Sequence, residues 1–225
     1  MANVEHSTLT GSDLHEAKGV AAAANNRVFV TNGAGSGSFQ QVPAAAIAAA
    51  GVLVFQSQYY QVRDERSSGT DGDTLTVSSW NTRTLQTEKT DDLTITTSGN
   101  QISLVAGTYF LEAETVTRYT GILDRNTTEA IVSKLRIRNV TDSTTLIVGP
   151  AMKFNLVDDS GGNNQAFDID LSNSLSGRFT LAGTKSIELQ NWVTNNTTSP
   201  TTKGGKAISS GENEVYADVR LWKLS

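Results

Sequence analysis

Toward the end of the chain Val215, Ala217, Val219 and Leu221 alternate with Tyr216, Asp218, Arg220 and Trp222. Period-two alternation predicts a half-buried strand over residues 214–224, with one set of side chains turned to a core and the other away from it. The same pattern recurs at 134–138, where Leu135 and Ile137 point inward and Lys134, Arg136 and Arg138 outward. Further strands are predicted at 53–62, 80–87, 93–96, 101–104, 109–118, 144–148, 166–171, 177–181 and 186–193, with a loop over 67–73. Gly- and Asn-bearing turns separate them, and no helical spacing intervenes. Such a series predicts an all-β fold, an antiparallel sandwich or barrel. Roughly 170 residues of it favour a double-sheet jelly roll over a smaller immunoglobulin-like sandwich. Phe110, Phe179, Trp192, Tyr216 and Trp222 are expected to supply much of the buried area.

The pattern is different before residue 52. Residues 1–25 are polar, then alanine-rich, and read as an extended arm. Short β-runs at 27–30 and 38–42 flank a Gly-rich turn at 32–37, which suggests a hairpin. Pro43 then opens an alanine-rich segment through Ala50 with Gly51 at its end, the punctuation of a short helix. The expected division is an N-terminal arm with a hairpin and helix anchor over 1–51 and a jelly-roll domain over 52–225.

Composition narrows the function classes. The 225 residues are 37% hydrophobic and only 18% charged, with a net charge of -5. Abundant Thr, Ser and Asn suit pleated sheets and turns. No basic cluster is present to neutralise phosphates, so nucleic acid is not an expected partner. Cysteine is absent, which removes disulfides and thiol nucleophiles. No hydrophobic run reaches the roughly 20 residues needed to span a bilayer, so no membrane partner is expected. The opening Met-Ala-Asn-Val-Glu-His lacks the basic and apolar regions of a signal peptide, which predicts synthesis in a cytoplasm.

Several segments, in order, carry a resemblance. They are Val62-Arg-Asp-Glu-Arg-Ser-Ser-Gly-Thr-Asp-Gly-Asp-Thr74, Trp80-Asn-Thr-Arg83, Leu104-Val-Ala-Gly-Thr-Tyr-Phe-Leu-Glu-Ala-Glu114 and Leu135-Arg-Ile-Arg-Asn-Val-Thr-Asp-Ser-Thr144. Ser176-Gly-Arg-Phe-Thr-Leu181, Ile187-Glu-Leu-Gln190 and the terminal run 214–224 follow. Together they resemble the C1q/TNF-like jelly-roll domain found in bacteriophage structural proteins. Leu9-Thr-Gly-Ser-Asp-Leu-His-Glu-Ala-Lys-Gly19 and the run 28–37 are similar to leader segments of small phage virion proteins, described as tail fibres, head fibres or capsid decoration proteins.

The resemblance implies a homotrimer around a threefold axis, with the arm docking on the virion against the major capsid protein or another virion protein. Leu9, Leu14, His15, Val28, Phe29, Val30 and Phe39 are the candidate anchoring residues, and Tyr216, Arg220 and Trp222 the candidate trimer interface. A short arm without a long shaft favours a capsid decoration, cement or head-fibre protein. The alternative is a tail fibre or spike that recognises a host surface glycan through the loops 120–129, 158–164 and 195–205, since loops on a rigid β scaffold carry recognition. Either way the resemblance implies a place on the virion, on the capsid surface or the tail.

No candidate chemistry points to an enzyme. His6 and His15, the two histidines, lie in the polar arm, which cannot fix one against a sheet nucleophile. Asp158, Asp159, Asp168 and Asp170 offer oxygen ligands, but their spacing matches no EF-hand, and Asp168 and Asp170 fit the outward face of a strand around Ile169. Glu112 and Glu114 share a strand face at a distance a glycosidase pair could use; an ion pair across a strand with Arg136 or Arg138 is the plainer reading. The Gly-rich run at 33–37 lacks the Lys-Ser/Thr ending of a phosphate loop and precedes a β-run. The Asn-X-Thr triplets at Asn126, Asn139, Asn195 and Asn196 are what a Thr- and Asn-rich chain produces by chance. No cofactor is expected.

Overall fold

The computed structural model describes residues 28–31, 37–40, 58–124, 128–158 and 164–225. The chain divides into two compact units, Met1–Gln56 and Ser57–Ser225. Within the first, β1 (Val28–Thr31) and β2 (Gly37–Gln40) pair antiparallel, with Phe29 opposite Phe39. The helix expected at 43–50 and most of the arm lie outside the described residues.

The second unit is built from β3 (Tyr59–Arg66), β4 (Ser79–Thr82), β5 (Thr87–Asp91), β6 (Thr96–Ser98), β7 (Gln101–Leu104), β8 (Gly107–Leu123), β9 (Thr128–Asn139), β10 (Thr144–Val157), β11 (Gln165–Leu181), β12 (Lys185–Asn195), β13 (Thr198–Lys203) and β14 (Glu214–Lys223). They form two six-stranded antiparallel sheets. The front sheet runs β11-β8-β14-β3-β5, with β13 also paired to β8; the back sheet runs β10-β9-β12-β7-β6, with β4 also paired to β12. This is an all-β antiparallel sandwich with jelly-roll connections, the fold class expected from the alternation. Among the described residues no helix is long and apolar enough to cross a membrane.

The sheets close over a core drawn from both. Tyr60, Val62, Leu111, Ala113, Val219 and Leu221 of the front sheet meet Ile102, Leu135, Ile137, Ile187 and Leu189 of the back one. A smaller cluster, Tyr119, Leu123, Ile131, Leu156 and Val193 with Leu75, lies farther along the same long strands. Between the clusters four of the long strands turn polar residues inward: Thr115 and Thr117 on β8, Ser133 on β9, Asn173 on β11 and Asn191 on β12, all buried. Among the described residues Thr115 Oγ1 is without a hydrogen-bond partner, and the other four are tied across the gap. Asn191 Nδ2 donates to Thr117 Oγ1 at 2.7 Å, Ser133 Oγ to Asn191 Oδ1 at 3.1 Å, and Asn173 Nδ2 to the Ser133 carbonyl at 2.9 Å. Buried polar groups are tolerable when paired in this way.

This layer explains where the strand boundaries depart from expectation. The strands expected at 166–171 and 177–181 are one continuous β11, because inward Asn173 breaks the apolar alternation without breaking the strand. The run expected at 144–148 continues to Val157 through two register shifts, one between Thr145 and Ile147 and one across Gly149 and Pro150, irregularities suited to an edge strand. The 80–87 run is split into β4 and β5 by inward Arg83, and the 93–96 run is replaced by the later β6, with Asp91 accepting from the Leu93 and Ile95 N–H groups. The β6–β7 link is a tight hairpin with Gly99 and Asn100 at positive φ (57° and 66°), the left-handed pair such a turn requires.

Two expected recognition loops shrink. β8 and β9 take up most of 120–129, and β13 runs through the segment expected as a loop at 195–205.

Candidate functional site

The outer face of the front sheet gathers the candidate interface residues. Cross-strand pairing sets Tyr59, Trp222 and Phe110 in one row over β3, β14 and β8, with Trp222 ring centroids 5.1 Å from Tyr59 and 5.9 Å from Phe110. All three are half-buried. The next rows are charged: Gln61, Arg220 and Glu112, then Arg63, Asp218 and Glu114. Asp218 is their hub. It accepts from Gln61 Nε2 at 2.9 Å and Arg220 Nη2 at 2.7 Å and lies 3.4 Å from Arg63 Nε. That carboxylate holds the Arg220 guanidinium above its ordinary value, while burial, then Asp218, pushes the Tyr59 phenol up.

Tyr216 does not belong to this face. A bulge places Tyr216 between Val215, opposite Glu65, and Ala217, opposite Asp64, so the alternation changes phase there. Tyr216 is 4% exposed, its hydroxyl donates to the Thr70 carbonyl at 2.8 Å, and its ring fills the space that any side chain at Gly205 (φ +139°) would need. Val215, expected inward, is exposed instead. The simple alternation of 214–224 therefore holds from Ala217 onward only.

Glu112 and Glu114 do share the outward face, but their cation is Arg220, whose Nη2 reaches Glu114 Oε1 at 2.8 Å. Arg136 and Arg138 lie in the other sheet and cannot meet them. Two shallow cavities of about 340 and 400 Å³ open beside this ion pair, lined by Glu112, Glu114, Ser174, Asp218 and Arg220 among others. Asp168 pairs with Arg118 on the outward side of β11. Among the described residues no cluster of His, Asp and Glu could hold a metal ion; Asp159 lies outside them.

The loop end of the sandwich holds a charged network that the sequence did not announce. Arg83 is 1% exposed and donates through Nη2 to the Gly204 and Tyr216 carbonyls at 2.6 and 3.0 Å, and burial pulls its guanidinium down to about 10. Beside it Arg66 bridges Asp64 and Asp73 at 2.8 Å each. Asp71 collects Lys203 Nζ at 2.7 Å, Lys206 Nζ at 3.1 Å and the Ala207 N–H at 3.1 Å, which hold its carboxyl well below the usual range. An Arg next to Asp- and Gly-rich loops is the only signal that could have suggested this.

The anchoring candidates divide differently. Val28, Phe29 and Val30 stand on β1 and Phe39 on β2; Leu9, Leu14, His15 and also His6 lie outside the described residues.

Aromatic residues expected in the core also separate. Phe179 is buried against Tyr109, with ring centroids 5.7 Å apart. Trp192 is half-buried on the outer face of the back sheet, 5.7 Å from Trp80 directly across β4.

No family model and no curated protein matches the sequence. Among solved structures the chain is similar to the globular domain of zebrafish complement 1qA protein, at 10% identity and a TM-score of 0.34, over 75% of this chain and 98% of that one. A likeness at that level says nothing of what the chain binds.

Proposed function

We propose that the protein is a structural, non-enzymatic component of a bacteriophage virion. It acts as a homotrimer that decorates the capsid, held to the major capsid protein by residues 1–51 with Leu9, Leu14, His15, Val28, Phe29, Val30 and Phe39 in the contact. The virion reading is supported by the ordered segments that resemble phage jelly-roll proteins.

One observation carries the self-association: a single molecule presents apolar surface in two different places. The Tyr59–Trp222–Phe110 row stands half-buried on the front sheet, while Met152 and Phe154 on edge strand β10 are 43% and 48% exposed. Apolar surface of this kind marks interaction sites. A face and a different edge cover each other head to tail, and such a contact closes when the rotation completes a ring. Trp222 and Arg220 lie in that contact; Tyr216 supports it from inside the protomer.

Sedimentation of the full chain should give the mass of a trimer, and Trp222→Glu should give a folded monomer. A monomeric wild type at micromolar concentration overturns the trimer. Antibody labelling of intact particles should decorate the capsid surface, and label confined to the tail overturns the capsid role.

A further inference from the structure

The outer face of the back sheet holds a feature that the trimer does not use. On β9, Lys134, Arg136 and Arg138 occupy three successive outward positions, opposite Trp192, Gln190 and Glu188 of β12. Trp80 and Thr82 of β4 extend the first two of these rows. The indoles of Trp80 and Trp192 stand edge to face, and the Arg136 guanidinium lies 4.0 Å above the Trp80 ring. Trp192 Nε1 donates to Thr194 Oγ1 at 3.2 Å, so the platform is held in place before any ligand arrives.

The charge on this face is not balanced. Among the described residues no ion pair engages Lys134, Arg136 or Arg138, whereas Arg63, Arg66, Arg118, Arg220, Lys89, Lys185, Lys203 and Lys206 all have carboxylate partners. The facing carboxylate, Glu188, is occupied by three neutral donors: Thr82 Oγ1 at 2.8 Å, Gln101 Nε2 at 2.9 Å and Gln190 Nε2 at 2.8 Å. Arg136 Nε donates to Gln190 Oε1 at 2.9 Å. Burial and then repulsion from Arg138 hold Arg136 below its ordinary value. Three unpaired cations side by side in a chain of net charge -5 are a local cost that an anion would relieve.

We propose that the outer face of β9, β12 and β4 is a binding platform for an acidic polysaccharide, whose sugar rings lie against Trp80 and Trp192 while its carboxylates meet Lys134 and Arg138. Packing alone accounts for two indoles set edge to face; it does not account for an unpaired row of cations beside them. The platform lies flat across three strands, roughly 10 Å in the pairing direction, which suits an extended polymer. Gln101, Gln190, Thr82 and Glu188 offer the mixed donors and acceptors that hydroxyl groups take. A nucleic acid fits less well, because its unbroken phosphate chain needs a longer basic track than the three cations of β9 provide. The site stands apart from the trimer contact and from the location of the protein on the particle.

Polygalacturonate oligomers titrated into the full-length protein, followed by calorimetry and indole fluorescence, test this. Polygalacturonate should bind and shift the emission, and neutral dextran should bind about tenfold more weakly or less, one good contact being worth about that factor. Trp192→Ala and Trp80→Ala should each weaken binding by about tenfold or more. Should either tryptophan variant fail to fold, Lys134→Gln and Arg138→Gln, on the solvent side of β9, carry the test with unchanged melting. The proposal is overturned if polygalacturonate does not bind at millimolar concentration, or if binding survives these substitutions. Equal binding of dextran overturns it as well, and so does equal binding of single-stranded DNA.

Discussion

The two halves of the sandwich interior hold the sheets together by different means. Around Leu111, Ile137 and Leu221 the inward side chains are uniformly apolar and come from both sheets, so cohesion there is burial of hydrocarbon. One level along the same strands, before the smaller apolar cluster around Tyr119 and Ile131, Thr117, Ser133, Asn173 and Asn191 replace it with directional bonds, and Arg83 ties β14 to residue 204 through two carbonyls. The first half tolerates any well-packed set of similar volume. The second depends on each partner, because a buried polar group that loses its bond is costly. The second half is also the one that carries β13 and the charged loops around residues 71 and 203 to 207.

The sharpest contrast is between Leu111→Ala and Arg83→Ala. The leucine change leaves a cavity among apolar neighbours and should cost about 3 kcal/mol. Arg83→Ala strips two carbonyls of their donor and leaves the nearby Asp64 and Asp73 without their buried neighbour. It should cost about 4 kcal/mol, about 2 kcal/mol for each carbonyl left without its charged donor. Urea unfolding of both variants checks this, and an Arg83→Ala loss below that of Leu111→Ala would reverse the contrast.

The same division decides what could be read from the residues. β7 falls within its expected bounds and the inward faces of β8, β9 and β12 follow from alternation, because in the apolar half hydrophobicity and direction coincide. In the polar half they part. Asn173 and Asn191 look like surface residues, so the residues of β11 predict two strands, and nothing in the run 80–87 marks Arg83 as the position that splits it. The bulge at Tyr216 is a backbone event with no mark in the period, and it took one residue out of the expected interface. Trp192 departs from expectation for the opposite reason: its size and apolarity predict the core, but its even-numbered place on β12 sets it outside with Gln190 and Thr194. The back-sheet platform was legible only in part. The outward cations of β9 followed from the alternation, but the pairing of Trp80 with Trp192 needed the topology.

The polar layer itself gives a middle-sized effect. Asn191→Ala takes the donor from Thr117 Oγ1 and an acceptor from Ser133 Oγ and should cost about 2 kcal/mol. Replacing all three groups together, as Asn191→Leu with Thr117→Val and Ser133→Ala, removes the stranded polar atoms and should recover most of that loss. Equal destabilisation in the single and triple variants would show that shape, not hydrogen bonding, holds the layer.

The smallest effect belongs to the partly exposed network at Asp71. Lys203 first, then the Ala207 N–H, depress its carboxyl. A carboxylate depressed in the folded state contributes its full stability above its unfolded value, about pH 4, and loses it as the pH falls toward the folded one. Asp71→Asn should therefore cost about 1 kcal/mol at pH 7, the scale of a solvent-screened ion pair. The gap to wild type should narrow steadily below pH 4, and melting curves of the two proteins between pH 7 and pH 2 read it directly. Leu111→Ala should show no such narrowing, since no charge changes there. A gap for Asp71→Asn that stays constant with pH would mean that the charge of Asp71 does not hold the loop, since an amide oxygen keeps the Ala207 bond at every pH, and would place this corner with the apolar half.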